Sequence, residues 1–234
     1  MSNVERSILP VVEPSIKRLP LMIEDTESQE ALDKVDRGSV PVDTLTQNSA
    51  RAGAWVPIVT VRNIMFGQDE MRSMTISCSG RVPRVTVSVR DINQKFSVEA
   101  PLDGDVISVY LRPPDVKNQR PIRIDFDITG MSSSPSTQSY TLTGVMRVPG
   151  LFGEKCVSFG DSTSFDALAE AARQVGLGFA SNVDGTSDQM KRICAYDAMD
   201  TFIDRTVASA FASDDSFFTW CIDPYYYLCL VDVN

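Results

Sequence analysis

From Trp55 onward the chain carries a two-residue period. In Arg84-Val85-Thr86-Val87-Ser88-Val89-Arg90 the valines fall on one side and the polar residues on the other. Ile122, Ile124, Phe126 and Ile128 alternate in the same way with Arg123, Asp125, Asp127 and Thr129. This is the pattern of antiparallel strands with one face on a core and the other in water. WVPIVTVRN, MRSMTISC, PRVTVSVRD, DVISVYLR, PIRIDFDITG and YTLTGVMRV are all rich in Val, Ile, Thr and Tyr, and predict six or seven short strands over residues 55–150. Turn residues separate them: Phe66-Gly67-Gln68-Asp69, Ser79-Gly80, Asp103-Gly104-Asp105, Pro113-Pro114-Asp115 and Ser132 to Ser136. Strands at this spacing predict a small antiparallel barrel or sandwich.

After Val148-Pro149-Gly150 the period lengthens. Phe165, Leu168, Ala169, Ala172 and Val175 form a helical stripe, Thr163 with Asp166 has capping-box spacing, and Gly176 is a left-handed stop. Leu177 and Phe179 follow as an apolar lid. A second helix is predicted over Asp197 to Ser213, with the stripe Met199, Phe202, Ile203, Thr206, Val207, Ala210 and Phe211. Phe217 to Ile222 and Tyr226 to Val233 then read as a hairpin around Asp223-Pro224-Tyr225. Residues 151–234 therefore form an α+β domain, two helices over a small sheet, and the fold class is mainly β plus α+β. A chain that stops on a strand leaves backbone groups in want of partners. The expectation is that the domain continues past Asn234, or that another polypeptide completes it.

Residues 1–54 hold no aromatic residue but contain Pro10, Pro14, Pro20 and Pro41. They read as an extended arm that orders against a partner, or as a disordered tail. One short helix is predicted from Thr26 to Asp36, with Thr26 and Gln29 at its start, the thin stripe Ala31, Leu32 and Val35, and Gly38 beyond its end.

Composition removes more chemistry than it suggests. The chain has 234 residues, 22 Lys and Arg against 31 Asp and Glu, and a formal net charge of −9. That balance opposes binding nucleic acid through its phosphates. No apolar run approaches the ~18 residues of a membrane span, and the N-terminus has no apolar signal core. There is no histidine, which excludes Ser-His and Cys-His nucleophile pairs and His-ligated zinc. Cys78, Cys156, Cys194, Cys221 and Cys229 are odd in number and widely spaced, and read as reduced, mostly buried thiols, Cys221 and Cys229 included. Asp103-Gly104-Asp105 is followed by a strand pattern, so it is a turn and not a calcium loop. Gly176-Leu177-Gly178-Phe179 follows a helix, whereas phosphate cradles precede one. Asp214, Asp215 and Asp223 are not placed as a catalytic pair. No catalytic, cofactor-binding or metal-ligating residue is assigned. The candidate site is an interface. Trp220, Tyr225, Tyr226 and Tyr227, with Val231 and Val233, make an aromatic and apolar patch, one side of the strand inward and the other toward a neighbour.

PLDGDVISVYLR with PIRIDFDITG, then YTLTGVMRVPGLF, then SFDALAEAARQVGLGFASN and DDSFFTWCIDPYYYLCLVDVN together resemble the baseplate hub proteins of contractile-tailed bacteriophages. That family is related to late-control tail proteins and to the base of type VI secretion spikes. The resemblance covers Arg81 to Asn234. It implies a tube-type β-barrel, an α/β domain and usually a second barrel, in a trimer that joins the six-fold tail tube to a three-fold spike. Only one barrel is found here. The implied protein is structural, not an enzyme, and needs no cofactor. Its partners are further copies of itself, tail tube, spike and other baseplate proteins. It resides in the virion tail and is assembled in the bacterial host cytoplasm, with DNA passing through its channel. Asp103, Asp105, Asp125 and Asp127 are candidates to line that channel and repel DNA. The alternatives are a tail-tube or adaptor protein of six-fold symmetry, and a cell-wall hydrolase using carboxylates.

Overall fold

A computed structural model describes residues 7–16, 57–62, 64–67, 69–96, 100–111 and 122–234. The helix expected at Thr26 to Asp36, Trp55 and the Pro113-Pro114-Asp115 turn lie outside them. The strands are β1 (Leu9–Val12), β2 (Ile58–Val61), β3 (Ile64–Phe66), β4 (Met71–Ser77), β5 (Arg84–Arg90), β6 (Val106–Leu111), β7 (Ile122–Ser134), β8 (Ser139–Met146), β9 (Glu154–Ser162), β10 (Gly178–Ser181), β11 (Met190–Ala198), β12 (Phe218–Ile222) and β13 (Tyr227–Asp232). The helices are α1 (Ser164–Val175) and α2 (Met199–Ala208). The chain divides into two compact units: residues 18–79 with 83–147, and residues 1–17 with 80–82 and 148–234.

The first unit is a seven-stranded antiparallel sheet in the order β3-β2-β6-β7-β8-β5-β4. The two-residue period predicts its inner face correctly: Val85, Val87 and Val89 are buried, while Arg84, Thr86 and Arg90 are exposed. Three expectations need correction. First, Arg123 and Asp125 on β7 are buried, not in water. Arg123 Nε donates to Asp125 Oδ1 at 3.0 Å, and its guanidinium lies 5.4 Å from the centre of the Tyr110 ring. The opposite charges and the ring replace the water each would lose. Second, β7 continues through Ser132, Ser133 and Ser134, expected as loop, because these pair with Thr141, Tyr140 and Ser139 of β8. A register shift between Ile128 and Gly130 lets the long strand bend.

Third, the sheet curls but does not close into a tube. Its edges are β3 and β4, and no ladder joins them among the described residues. β3 has three residues and turns at once through Gly67, whose carbonyl accepts from the Glu70 and Met71 amides. That leaves no length over which to pair. A buried acid bridges this end instead. The Glu70 side chain is 2% exposed and accepts from Lys95 Nζ at 2.6 Å, Asn93 Nδ2 at 2.8 Å and the Gly67 amide at 2.9 Å. Lys95 Nζ also donates to the Met65 carbonyl at 2.8 Å, and Phe96 stands between Phe66 and Tyr140, 5.1 Å from each ring centre. Burial pushes the Glu70 carboxyl up, but the bonds from Lys95, Gly67 and Asn93 outweigh it and hold the group below its ordinary value. Its stabilising effect is therefore present above the ordinary carboxylate pKa and is lost as pH falls through the lowered folded value. Glu70→Ala should cost this unit about 2 kcal/mol in urea unfolding at pH 7, since part-exposed Lys95 can rehydrate, and the cost should shrink in acid.

The second unit holds a mixed sheet in the order β1-β10-β13-β12, with β10 parallel to β13 and the other pairs antiparallel. The last strand is thus flanked on both sides, which corrects the expectation that it lacks partners. Asn182 extends the pairing: its amide donates to the Asp232 carbonyl at 2.8 Å and accepts from the Asp232 amide at 2.9 Å. α1 has its expected ends. Thr163 Oγ1 accepts from the Asp166 amide, and Gly176 has φ 80°. Its buried stripe is centred on Ala167, Leu168, Ala171, Ala172 and Val175, with Phe165 and Ala169 at its margin. α2 is shorter than expected. Asp197 and Ala198 belong to β11, and at the other end the Ser209 hydroxyl donates to the Thr206 carbonyl, competing with further helix. β9 and β11 form a two-stranded antiparallel ribbon that was not expected from the sequence.

Candidate assembly interface

The six sequence-predicted interface residues do not gather into one patch. Trp220 is 4% exposed and its indole N–H donates to Asp204 Oδ1 at 2.6 Å. Tyr226 is buried in the β12–β13 turn with φ 68°. Tyr227 is buried, and its hydroxyl donates to Glu13. Val231 is half-buried against Ala180, Tyr227 and Cys229. Only Tyr225, 38% exposed, and Val233, 54% exposed, present large apolar surface, and they stand at opposite ends of β13. The turn between the strands is built by Asp223, whose Oδ1 accepts from the Tyr225 and Tyr227 amides at 2.9 and 2.8 Å. Burial pushes the Asp223 carboxyl up, against the pull of these two bonds.

Of the four acidic residues considered for a channel lining, Asp103 is exposed and the other three are engaged with arginines. Asp125 is buried with Arg123, Asp127 accepts from Arg147 at 2.6 Å, and Asp105 meets Arg62 at 3.3 Å. Asp125 cannot face a lumen. Asp215 and Asp223 lie at opposite ends of β12, so they form no carboxylate pair. Of the cysteines, Cys194 and Cys229 are buried, Cys221 is half-buried, and Cys78 and Cys156 are exposed. Among the described residues no three His, Cys, Asp or Glu side chains gather as a cation would need, and no helix is long and apolar enough to cross a membrane.

The structure instead draws attention to the other end of the chain. β1 is an edge strand, and Ile8, Leu9 and Val11 along it are all about half exposed or more, Leu9 at 63%. Leu9 pairs with Ser181, Pro10 with Ala180 and Val12 with Phe179. Beyond the strand, the Ser15 amide donates to the Gly176 carbonyl at 2.9 Å, and Glu13 takes the Tyr227 hydroxyl. Two glycines make room for this segment. A Cβ on Gly178 would stand 2.7 Å from the Val12 carbonyl oxygen, and one on Gly176 would stand 3.2 Å from Ile16 Cα. The run Ile8-Leu9-Pro10-Val11-Val12 was the available sequence signal, a β-prone apolar stretch inside a polar arm. Its prolines and the lack of aromatic residues nearby hid it.

No protein-family model matches the chain, and no curated protein matches it. Among solved structures it is similar to the 43 kDa tail protein of prophage MuSo2 from Shewanella oneidensis, with a TM-score of 0.49 and 10% identity over 76% of this chain and 54% of that one. It is also similar to the tail protein from Neisseria meningitidis MC58, with a TM-score of 0.47 and 12% identity over 76% and 50% of the two chains. A third is the prophage tail protein gp18 from Listeria monocytogenes EGD-e, with a TM-score of 0.44 and 14% identity over 75% and 50%. The chain spans about half the length of these structures.

Proposed function

We propose that this chain is a structural subunit of a phage tail, a hub-type protein that assembles as a homotrimer and joins the tail tube to a central spike. The observation that carries the reading is the order of its parts. A curled antiparallel sheet over β2 to β8 is followed along the chain by a segment that mixes helices and strands, the order of barrel and α/β domain that the resemblance to hub proteins implies. This is an argument from architecture, and architecture alone does not assign chemistry. Among the described residues β3, β4 and the apolar β1 are sheet edges, which supports assembly through strands, since sheet edges are where chains join. β13 is paired on both sides and offers no edge for this joining.

The test is the mass of the purified chain in solution, by light scattering or native mass spectrometry. A particle of about three times the 25.8 kDa chain mass is expected. A single-chain mass at tens of micromolar would sink the reading, and a six-fold particle would replace it with a tail-tube or adaptor protein.

A further inference from the structure

The edge of β10 on which β1 lies, together with Gly176, Gly178 and Tyr227, is a seat shaped for residues 8–16. We propose that in the assembled protein this seat is filled by residues 8–16 of a second copy of the chain, so that neighbours are joined by an exchanged strand. The inference rests on the reading of the chain as a self-assembling subunit.

Three observations carry it. The seat is fitted to backbone rather than to bulky side chains. Gly178 leaves space for the Val12 carbonyl, Gly176 leaves space for the Ile16 backbone, and the Ser15 amide meets the Gly176 carbonyl. Backbone recognition along a sheet edge is how one chain adds a strand to another. Next, the strand carries surface it does not use. Ile8, Leu9 and Val11 remain exposed when it is docked, and the body of a donor copy standing alongside would cover apolar surface that a single chain leaves in water. Last, Ile16 and Pro57 are separated by forty residues of sequence, a length that can span at most on the order of 100 Å. Exchange keeps every contact of the seat, because donor and acceptor are the same sequence, so it is a low-cost route to an oligomer.

The experiment uses full-length chains carrying Cys78→Ser and Cys156→Ser, which remove the exposed native thiols. One chain also carries Leu9→Cys and a differently tagged chain Ser181→Cys, two positions that face each other in the β1–β10 register. Antiparallel partners sit about 4.5–5.5 Å apart, within disulfide range. The two chains are co-expressed and oxidised with a low-molecular-weight disulfide, which accepts the two electrons of the thiols. Exchange predicts a band joining both tags on a non-reducing gel, and a ladder of multimers from the double variant Leu9→Cys/Ser181→Cys. A double variant that links only within its own chain, with no joined band from the pair, overturns the exchange. No link in either arm overturns it as well, since the strand would then not sit on β10. A trimeric mass with links only within chains would overturn the exchange and leave the hub reading standing. A single-chain mass would end both.

Discussion

Replacing Arg192 with methionine is expected to lower the stability of the unit that holds it by about 3–5 kcal/mol, the usual cost of stripping one partner from a buried ion pair. The Arg192 and Asp188 side chains are 6% and 5% exposed. Arg192 Nη2 donates to Asp188 Oδ2 and to Ser164 Oγ, each at 2.7 Å, and Nη1 donates to the Ser162 carbonyl at 2.7 Å. The Ser164 hydroxyl donates to Asp188, and the Ser164 amide donates to the other carboxylate oxygen at 3.1 Å. One arginine thus ties the end of β9, the first residue of α1, β11 and the loop before it. Burial pushes the Asp188 carboxyl up, but the hydroxyls of Ser164 and Thr186 and the Ser164 amide hold it below its ordinary value, so it stays charged. Without Arg192 that charge is buried with no counter-ion. The measurement is urea unfolding followed by Trp220 fluorescence in a Trp55→Phe background, since these are the two tryptophans. Adding Asp188→Asn to Arg192→Met should recover part of the loss, because neither charge is then stranded. The pH response has a definite sign. In the parent chain the Asp188 contribution is present above the ordinary carboxylate pKa and disappears as pH falls through the lowered folded value. In Arg192→Met the carboxyl has lost a neighbouring cation and contributes less of this acid-labile stability, so the cost of the substitution should shrink in acid. An unchanged urea midpoint in Arg192→Met would show that the clasp does not hold the unit together.

The sequence was most readable where one face of an element meets a core. The β5 valines, the Thr163 and Gly176 ends of α1, and the β12–β13 hairpin follow from period and turn chemistry acting over a few residues. It was least readable where distant segments decide the outcome. β1 pairs with β10 across most of the chain, and no local rule announces it. The β9–β11 ribbon is split by α1 and β10, so neither strand has a neighbour in sequence to suggest a hairpin. The buried polar groups failed for a related reason. Arg123 with Asp125, Glu70 with Lys95, and Arg192 with Asp188 look like solvent-facing residues in a hydropathy pattern. All but the part-exposed Lys95 are inside because each charge meets its opposite, and that match is visible only once the strands are paired. The aromatic residues of the candidate interface obey the same logic. Aromatic residues on a strand suit either a contact or a core, and position in the sheet makes the choice: Trp220 and Tyr227 pack inside, and Tyr225 does not.

Trp220→Ala should therefore act on folding before it acts on assembly. The ring is 4% exposed on β12, its indole N–H donates to Asp204, and the Arg81 guanidinium lies 5.4 Å from its centre while also pairing with Asp204. Truncating a buried tryptophan costs about 3–5 kcal/mol through lost contacts and the cavity left behind. The Arg81–Asp204 pair adds little, because both side chains are well exposed. Trp220→Phe keeps most of the packing and loses the indole bond, so a loss of about 1–2 kcal/mol is expected. Tyr225→Ala and Val233→Ala remove surface side chains and should change stability by no more than about 0.5 kcal/mol. Far-UV circular dichroism in urea ranks the four variants, and amide exchange along β12 and β13 reports whether the loss is local to their sheet. Particle mass then separates the two roles. A Trp220→Ala chain that keeps full stability but loses its oligomer would place Trp220 at a subunit contact and contradict its burial. An oligomer lost in Tyr225→Ala or Val233→Ala, with stability unchanged, would assign a subunit contact to those two exposed positions.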